Sequence, residues 1–145
     1  MENKWHNRFF ELAKLISTWS KDPSSKTAAI IVDDEHRIIS TGYNGFSRGV
    51  NDDEARYENR EVKYEIIVHA EVNAIMNALG KDLKGTSMYI YPYLPCTRCA
   101  SQIIQAGIKK IYAPKADMPE RWLKNLNLAK QILTEAGVEI EEIKI

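Results

Sequence analysis

Two short segments far apart in the chain have to meet in space if either is to do chemistry: His69-Ala70-Glu71 and Pro95-Cys96-Thr97-Arg98-Cys99. Together they offer one imidazole and two thiolates, a donor set suited to zinc. Three protein ligands leave a tetrahedral zinc one open position, as catalytic sites require. Glu71, two residues beyond the histidine, is then an unligated carboxylate beside the water in that position. Metal, water and proton carrier are the parts of a hydrolytic site. Local geometry adds a constraint. Residues two apart in a helix point about 200° apart, so His69 and Glu71 can face one ion only where a helix begins. Cys96 and Cys99 lie about 60° apart on a helix and can share that ion. Pro95 closes the loop before them, and a helix N-terminus favours thiolates. The fold must therefore bring two helix starts together.

Composition narrows the partners. The 145 residues suit a single domain, 1–145, and a hydrophobic content of 44% can fill its core. Twenty basic residues balance twenty acidic ones, so nothing global asks for a polyanion. A small-molecule substrate fits better than a nucleic acid. Two cysteines are too few for a disulfide scaffold, and they exclude a second all-cysteine zinc site in the chain. No apolar h-region follows Met1 and no run of 18 apolar residues occurs, so neither a signal peptide nor a membrane span is expected, and a cytoplasmic location is.

Periodicity supplies the elements. Trp5, Phe9, Leu12, Ile16 and Trp19 recur at helical spacing, predicting a helix over 4–20 with Pro23 just beyond. Ala28 to Val32 and Arg37 to Gly42 read as strands of a hairpin, because the turn at 33–36 is too short for a crossover. Tyr43 to Val68 has no clean period; it reads as a lid with a short helix, or as a solvated surface loop. A helix follows from His69 to Leu79, with Val68, Val72, Ile75 and Leu79 on its apolar face. Then come a strand at 87–91, a helix at 97–106 stopped by Gly107, and a strand at 108–113. Asp117 and Glu120 have capping-box spacing for a last helix, with Trp122, Leu126, Ala129, Leu133 and Ala136 as its buried stripe. Val138 to Ile143 alternates like a half-buried edge strand. The order α-β-β-α-β-α-β-α-β predicts an α/β fold: a three-layer α/β/α sandwich with a mixed five-stranded sheet.

Each motif also has a plainer meaning. A lone C-x-x-C is compatible with a redox pair or half of a structural zinc site. His6 and His36 read as a first-helix position and a turn. The combination at two helix starts is what selects the metal reading, and its H-x-E…P-C-x-x-C spacing is that of the zinc nucleobase deaminases. In such a site Glu71 is the catalytic proton shuttle, His69, Cys96 and Cys99 hold one Zn2+, and the backbone N–H groups near Ala70 and Cys96 orient substrate and water.

Four segments resemble the deoxycytidylate (dCMP) deaminase family and cover most of the length: Lys21-Asp22-Pro23-Ser24; Gly42-Tyr43-Asn44-Gly45-Phe46 with Arg48-Gly49; His69 through Ile75; and Pro95-Cys96 through Ile108. The resemblance implies hydrolysis of a cytosine deoxynucleotide, dCMP to dUMP and ammonia, by a homo-oligomer, often a hexamer. It gives Asn44 the role of holding sugar and base, against the plain reading of Asn-Gly as a turn. Lys26, Arg48 and Lys21 lie in segments that would border a 5′-phosphate. Many family members respond to deoxynucleoside triphosphates, but no effector site is legible here. Departures fall at Thr27-Ala28-Ala29, where the family has Val-Gly-Ala, at Leu94 in place of an aromatic, and over Pro114–Trp122. They bear on substrate preference more than on reaction type. The competing readings are a superfamily deaminase for a modified cytosine nucleotide, a nucleoside or tRNA adenosine, a non-catalytic structural zinc module, and a redox C-x-x-C protein.

Overall fold

The structure is a computed structural model that describes residues 3–145. Helix α1 (Lys4–Ser17) starts where the Asn3 side chain accepts from the Trp5 amide, and it buries Phe9, Phe10, Ala13 and Ile16. It ends three residues before the expected position. The Ser17 and Thr18 hydroxyls donate to the carbonyls of Lys14 and Leu15, and Trp19, expected on the buried stripe, is 56% exposed beside Tyr43. Strands β1 (Ala28–Val32) and β2 (Ile38–Tyr43) form the antiparallel hairpin, and Asp33 Oδ1 holds its turn by accepting from the amides of Glu35 and Arg37.

The patternless stretch is more ordered than its sequence suggests. It contains β3 (Gly45–Phe46), α2 (Glu54–Glu58), α3 (Arg60–Ile66) and β4 (Ile67–Val68), and β3 pairs with β4 in a small second sheet. Asp53 and Asn59 cap the two helices, and Tyr57 stacks on Phe46 at 4.2 Å. These elements are too short for a periodic signal to emerge.

Helix α4 (Ala70–Asn77) departs from the expected packing. Its buried face is Ala70, Ala74 and, just past its end, Ala78, while Leu79 is 75% exposed and Val72 and Ile75 are half-buried. The cause is a close approach to β2. A methyl added at Gly42 would lie 2.4 Å from the Ala74 nitrogen and 2.7 Å from the Ala70 carbonyl oxygen. Only small residues permit that contact, so the stripe is set by size rather than by hydrophobicity. Side chains reinforce it: Asn73, Asn77 and Lys81 donate to the carbonyls of Tyr43, Thr41 and Ile39 on β2, and the Ser40 hydroxyl donates to the Ala74 carbonyl.

The second half alternates as expected: β5 (Ser87–Tyr91), α5 (Thr97–Ala106), β6 (Lys110–Pro114), α6 (Glu120–Glu135) and β7 (Glu139–Ile143). Gly107 ends α5 at φ 89°, a left-handed conformation favourable to glycine. The Asp117–Glu120 capping box does not form; Pro119 is the N-cap of α6 and makes no side-chain cap bond. Leu126, Ala129 and Leu133 are buried as expected, whereas Trp122 and Ala136 are exposed. The five-stranded sheet has the order β2-β1-β5-β6-β7, antiparallel across β2, β1 and β5 and parallel across β5, β6 and β7. Helix α1 covers one face, and α4, α5 and α6 cover the other, giving the three-layer α/β/α sandwich. No helix of the described residues is long and apolar enough to cross a membrane.

Gly42→Ala tests the close approach. Overpacking against rigid backbone should destabilise the fold by about 1–3 kcal/mol or more, read as a lower urea midpoint. An unchanged midpoint would show that α4 can lift off β2 at no cost.

Candidate metal centre and active site

Both motif halves sit at helix starts. His69 is the N-cap of α4 and Cys96 the N-cap of α5, each in extended backbone with no side-chain cap bond. Their side chains are therefore free to converge. The ligand atoms of His69, Cys96 and Cys99 lie within 4.8 Å of one another, with His69 Nδ1 at 3.1 Å from Cys99 Sγ and 3.6 Å from Cys96 Sγ. Ligands about 2.0–2.3 Å from a tetrahedral zinc stand roughly 3.5–3.8 Å apart, so the donor set fits one zinc ion with little adjustment. Glu71, in the first turn of α4, is 6% exposed and lies outside this group of three.

Electrostatics divide the donors: Cys96 is held toward thiolate, while Cys99 and His69 are held toward their protonated forms, protons that a bound metal would displace. Hydrogen bonding to Cys99 and to His69 outweighs burial and brings the Cys96 thiol down to about 4. The same bond to Cys96, together with burial, pushes the Cys99 thiol up. Bonding to Cys96 and the charge of Glu71 outweigh burial and raise His69. Burial pushes the Glu71 carboxyl up, against the opposing charge of His69. Two helix N-termini meeting here add partial positive charge that supports thiolate.

The remaining expected residues fall in different places. Ala70 is fully buried at the first helical position beside His69. Asn44 is buried, and its carboxamide is committed to the loop before β1: Oδ1 accepts from the Thr27 amide at 3.0 Å, and Nδ2 donates to the Ser25 carbonyl at 2.8 Å. Lys26 donates to the Ser20 carbonyl, and Lys21 pairs with Asp52 at 2.7 Å on the surface. Arg48 is not brought to the metal group. Its guanidinium reaches Asn77 Oδ1 at 3.5 Å, at the far end of α4, about 12 Å along the helix from His69.

Sequence reasoning missed the network behind Asn44. Asp22 is 1% exposed, and Lys63 of α3 pairs with it at 3.1 Å while donating to Ser24 Oγ at 2.8 Å. Asp22 Oδ1 also accepts from the Ser24 and Ser25 amides. Burial alone would push the Asp22 carboxyl up, but the Ser24 amide, Lys63 and the Ser25 amide together hold it below its ordinary value. Tyr93 relates this network to the metal group: burial and the Glu71 charge raise its phenol, against the opposing influence of the Ser25 side chain. The Asp-Pro-Ser turn was visible in sequence. Nothing marked Lys63, a single lysine in a stretch without period.

Comparison with known proteins agrees with this geometry. The family model described as the cytidine and deoxycytidylate deaminase zinc-binding region matches residues 3–115. The uncharacterized deaminase in the luxG 3′ region of Aliivibrio fischeri is 42% identical over 97% of this chain and 94% of its own length. The deoxycytidylate deaminase of Homo sapiens is 44% identical over 74% of this chain, and the match spans 63% of that protein's length. Among solved structures, the apo dCMP deaminase of cyanophage S-TIM5 superposes with a TM-score of 0.76 over 99% of this chain and 100% of that one. At 24% identity that likeness speaks for the fold alone.

Replacing Lys63 with Met should cost about 3–5 kcal/mol, because it leaves Asp22 buried without its cation. The pH dependence has a definite sign. A carboxyl held low in the folded state contributes stability that is complete above its unfolded value, about pH 4, and is lost as pH falls through the folded value. The gap between wild type and Lys63→Met in urea titrations should therefore narrow below about pH 4; a gap that stays constant into acid would remove the ion pair as its cause.

Proposed function

We propose, for a chain that belongs to the cytidine and deoxycytidylate deaminase family with its zinc-binding region, that it hydrolyses the amino group of a cytosine deoxynucleotide, dCMP, to give dUMP and ammonia. One observation carries the reading. A buried carboxylate, Glu71, stands beside a three-donor metal group to which it does not belong. A structural zinc site is closed by four ligands and has no use for such an acid; a redox pair has no use for His69.

His69, Cys96 and Cys99 hold the ion. Bound there, zinc supplies the Lewis acidity that makes water a nucleophile near neutral pH. Glu71 would take one proton from the attacking water and pass it to the ring nitrogen next to the amino-bearing carbon, then take the remaining hydroxyl proton and deliver it to the amino group, so that ammonia leaves as the carbonyl forms. Burial, which raises its carboxyl, suits a group that must both accept and release a proton. The N–H groups at the starts of α4 and α5 orient water and base, with Ala70 at the first of them. Asn44 serves the sugar by holding the 25–27 backbone that borders it. Lys26 and Lys21 meet the 5′-phosphate, Lys21 by releasing Asp52.

The chain acts as one deaminase domain over 1–145, in the cytoplasm, on a small nucleotide rather than a nucleic acid. Exposed Leu15, Trp19, Tyr43, Met76 and Leu79 support assembly into a homo-oligomer.

Ammonia release by the zinc-loaded chain from dCMP, CMP, dCTP, deoxycytidine and 5-methyl-dCMP tests the substrate. Turnover is expected with dCMP; turnover only with another member moves the substrate and leaves the chemistry. Glu71→Gln should retain one zinc per chain while kcat falls about 10²–10⁴-fold. Near wild-type kcat in that variant would take Glu71 out of the proton path.

A further inference from the structure

We infer that Asn125 of α6 is a positioning residue for the metal centre, holding the first turn of α5 and through it the Cys96–Cys99 pair. The inference rests on the zinc reading above. A helix start leaves its first amides without intrahelical partners, and the N-cap side chain ordinarily accepts from one of them. Here the N-cap is Cys96, whose sulfur turns toward His69 and caps nothing. A residue from another helix supplies an acceptor for the first of these amides, that of Thr97, which an N-cap side chain does not ordinarily serve. Asn125 Oδ1 accepts from the Thr97 amide at 3.1 Å, and Asn125 Nδ2 donates to Thr97 Oγ1 at 3.2 Å.

Both bonds fall on one residue, so they fix its backbone and its rotamer together. That residue lies between the two cysteines. Cys96, extended at ψ 173°, is held by buried Pro95 on one side and by Thr97 on the other. Losing the clasp frees the peptide that aims the Cys96 side chain. The clasp itself stands on a firm base, because the neighbouring Leu126, Ala129 and Leu133 anchor α6 in the core. Groups that orient metal ligands without touching the ion influence affinity in this way. No sequence pattern marks Asn125, since it flanks the apolar stripe of α6 as an ordinary polar residue would.

The test uses the full chain and two readouts besides activity: competition for Zn2+ against a chromophoric chelator, and the thiolate absorption of the Co2+ form. Asn125→Leu should weaken Zn2+ binding about 10-fold or more and alter the Co2+ spectrum. Asn125→Asp keeps an acceptor for the Thr97 amide and should stay within about threefold of wild type, well short of the 10-fold loss. Leu133→Val loosens α6 two turns away and should lower the melting temperature with affinity and spectrum preserved. Should Asn125→Leu not fold, Asn125→Ser, too short to reach Thr97, carries the same expectation. Wild-type affinity and spectrum in the Leu or Ser variant would overturn the proposal alone. So would an equal loss of affinity in Leu133→Val, which would make the effect one of general stability. A wild-type chain that takes up no Co2+ with thiolate absorption would remove the zinc reading, and this proposal with it.

Discussion

The seating of α4 on the β1–β2 hairpin fixes where everything else can go. At Gly42 the helix backbone lies so close to β2 that a single methyl would collide with three main-chain atoms. The alanine face of α4 makes the approach possible, and three side chains one helical turn apart tie it to alternate carbonyls of β2. An edge strand normally leaves such carbonyls free; here they become anchors for a helix. The N-terminus of α4, with His69 and Glu71, is thereby held at a set height above the sheet.

The other half of the centre depends on a different device. Strand β5 pairs antiparallel with β1 and parallel with β6, so it joins the two regimes of the sheet. The chain leaving it passes through Pro95 into α5, and α5 packs against both α4 and α6. Two helix starts on the same face of the sheet thus arrive at one point. Behind them lies a polar network in which buried Asp22, Lys63 and Asn44 are all satisfied, with Ser24 at its exposed edge. Such a network has one low-energy arrangement, and it holds the 20–27 loop and the 43–68 segment in fixed relation.

How much of this could be read beforehand follows from what each feature leaves in a sequence. The convergence of His69, Cys96 and Cys99 was legible because spacing and helix starts are local properties. The succession of helices and strands followed from apolar runs and turn residues, and the hairpin from a turn too short to cross over. The packing face of α4 was misread because hydrophobicity was scored where size decides: Leu79 looked like core, and Ala74 is core. The capping box failed because Asp117 and Glu120 have the right spacing while Pro119 occupies the cap. Lys63 and Asn125 were invisible for a common reason. Each acts on a residue more than 25 positions away, and no window along the chain contains both partners.

The placement of the three donors also shapes the chain as a polymer. His69 and Cys96 stand 27 positions apart, and the segment between them carries α4 and β5. An ion held by both ends turns that segment into a closed loop. A cross-link over a loop of this length removes freedom mainly from the unfolded chain, worth about 3–4 kcal/mol by the loop-entropy relation for covalent links. The ion then clips the antiparallel half of the sheet to the parallel half. Its departure would relax the seam between them, well beyond the reach of the open coordination position.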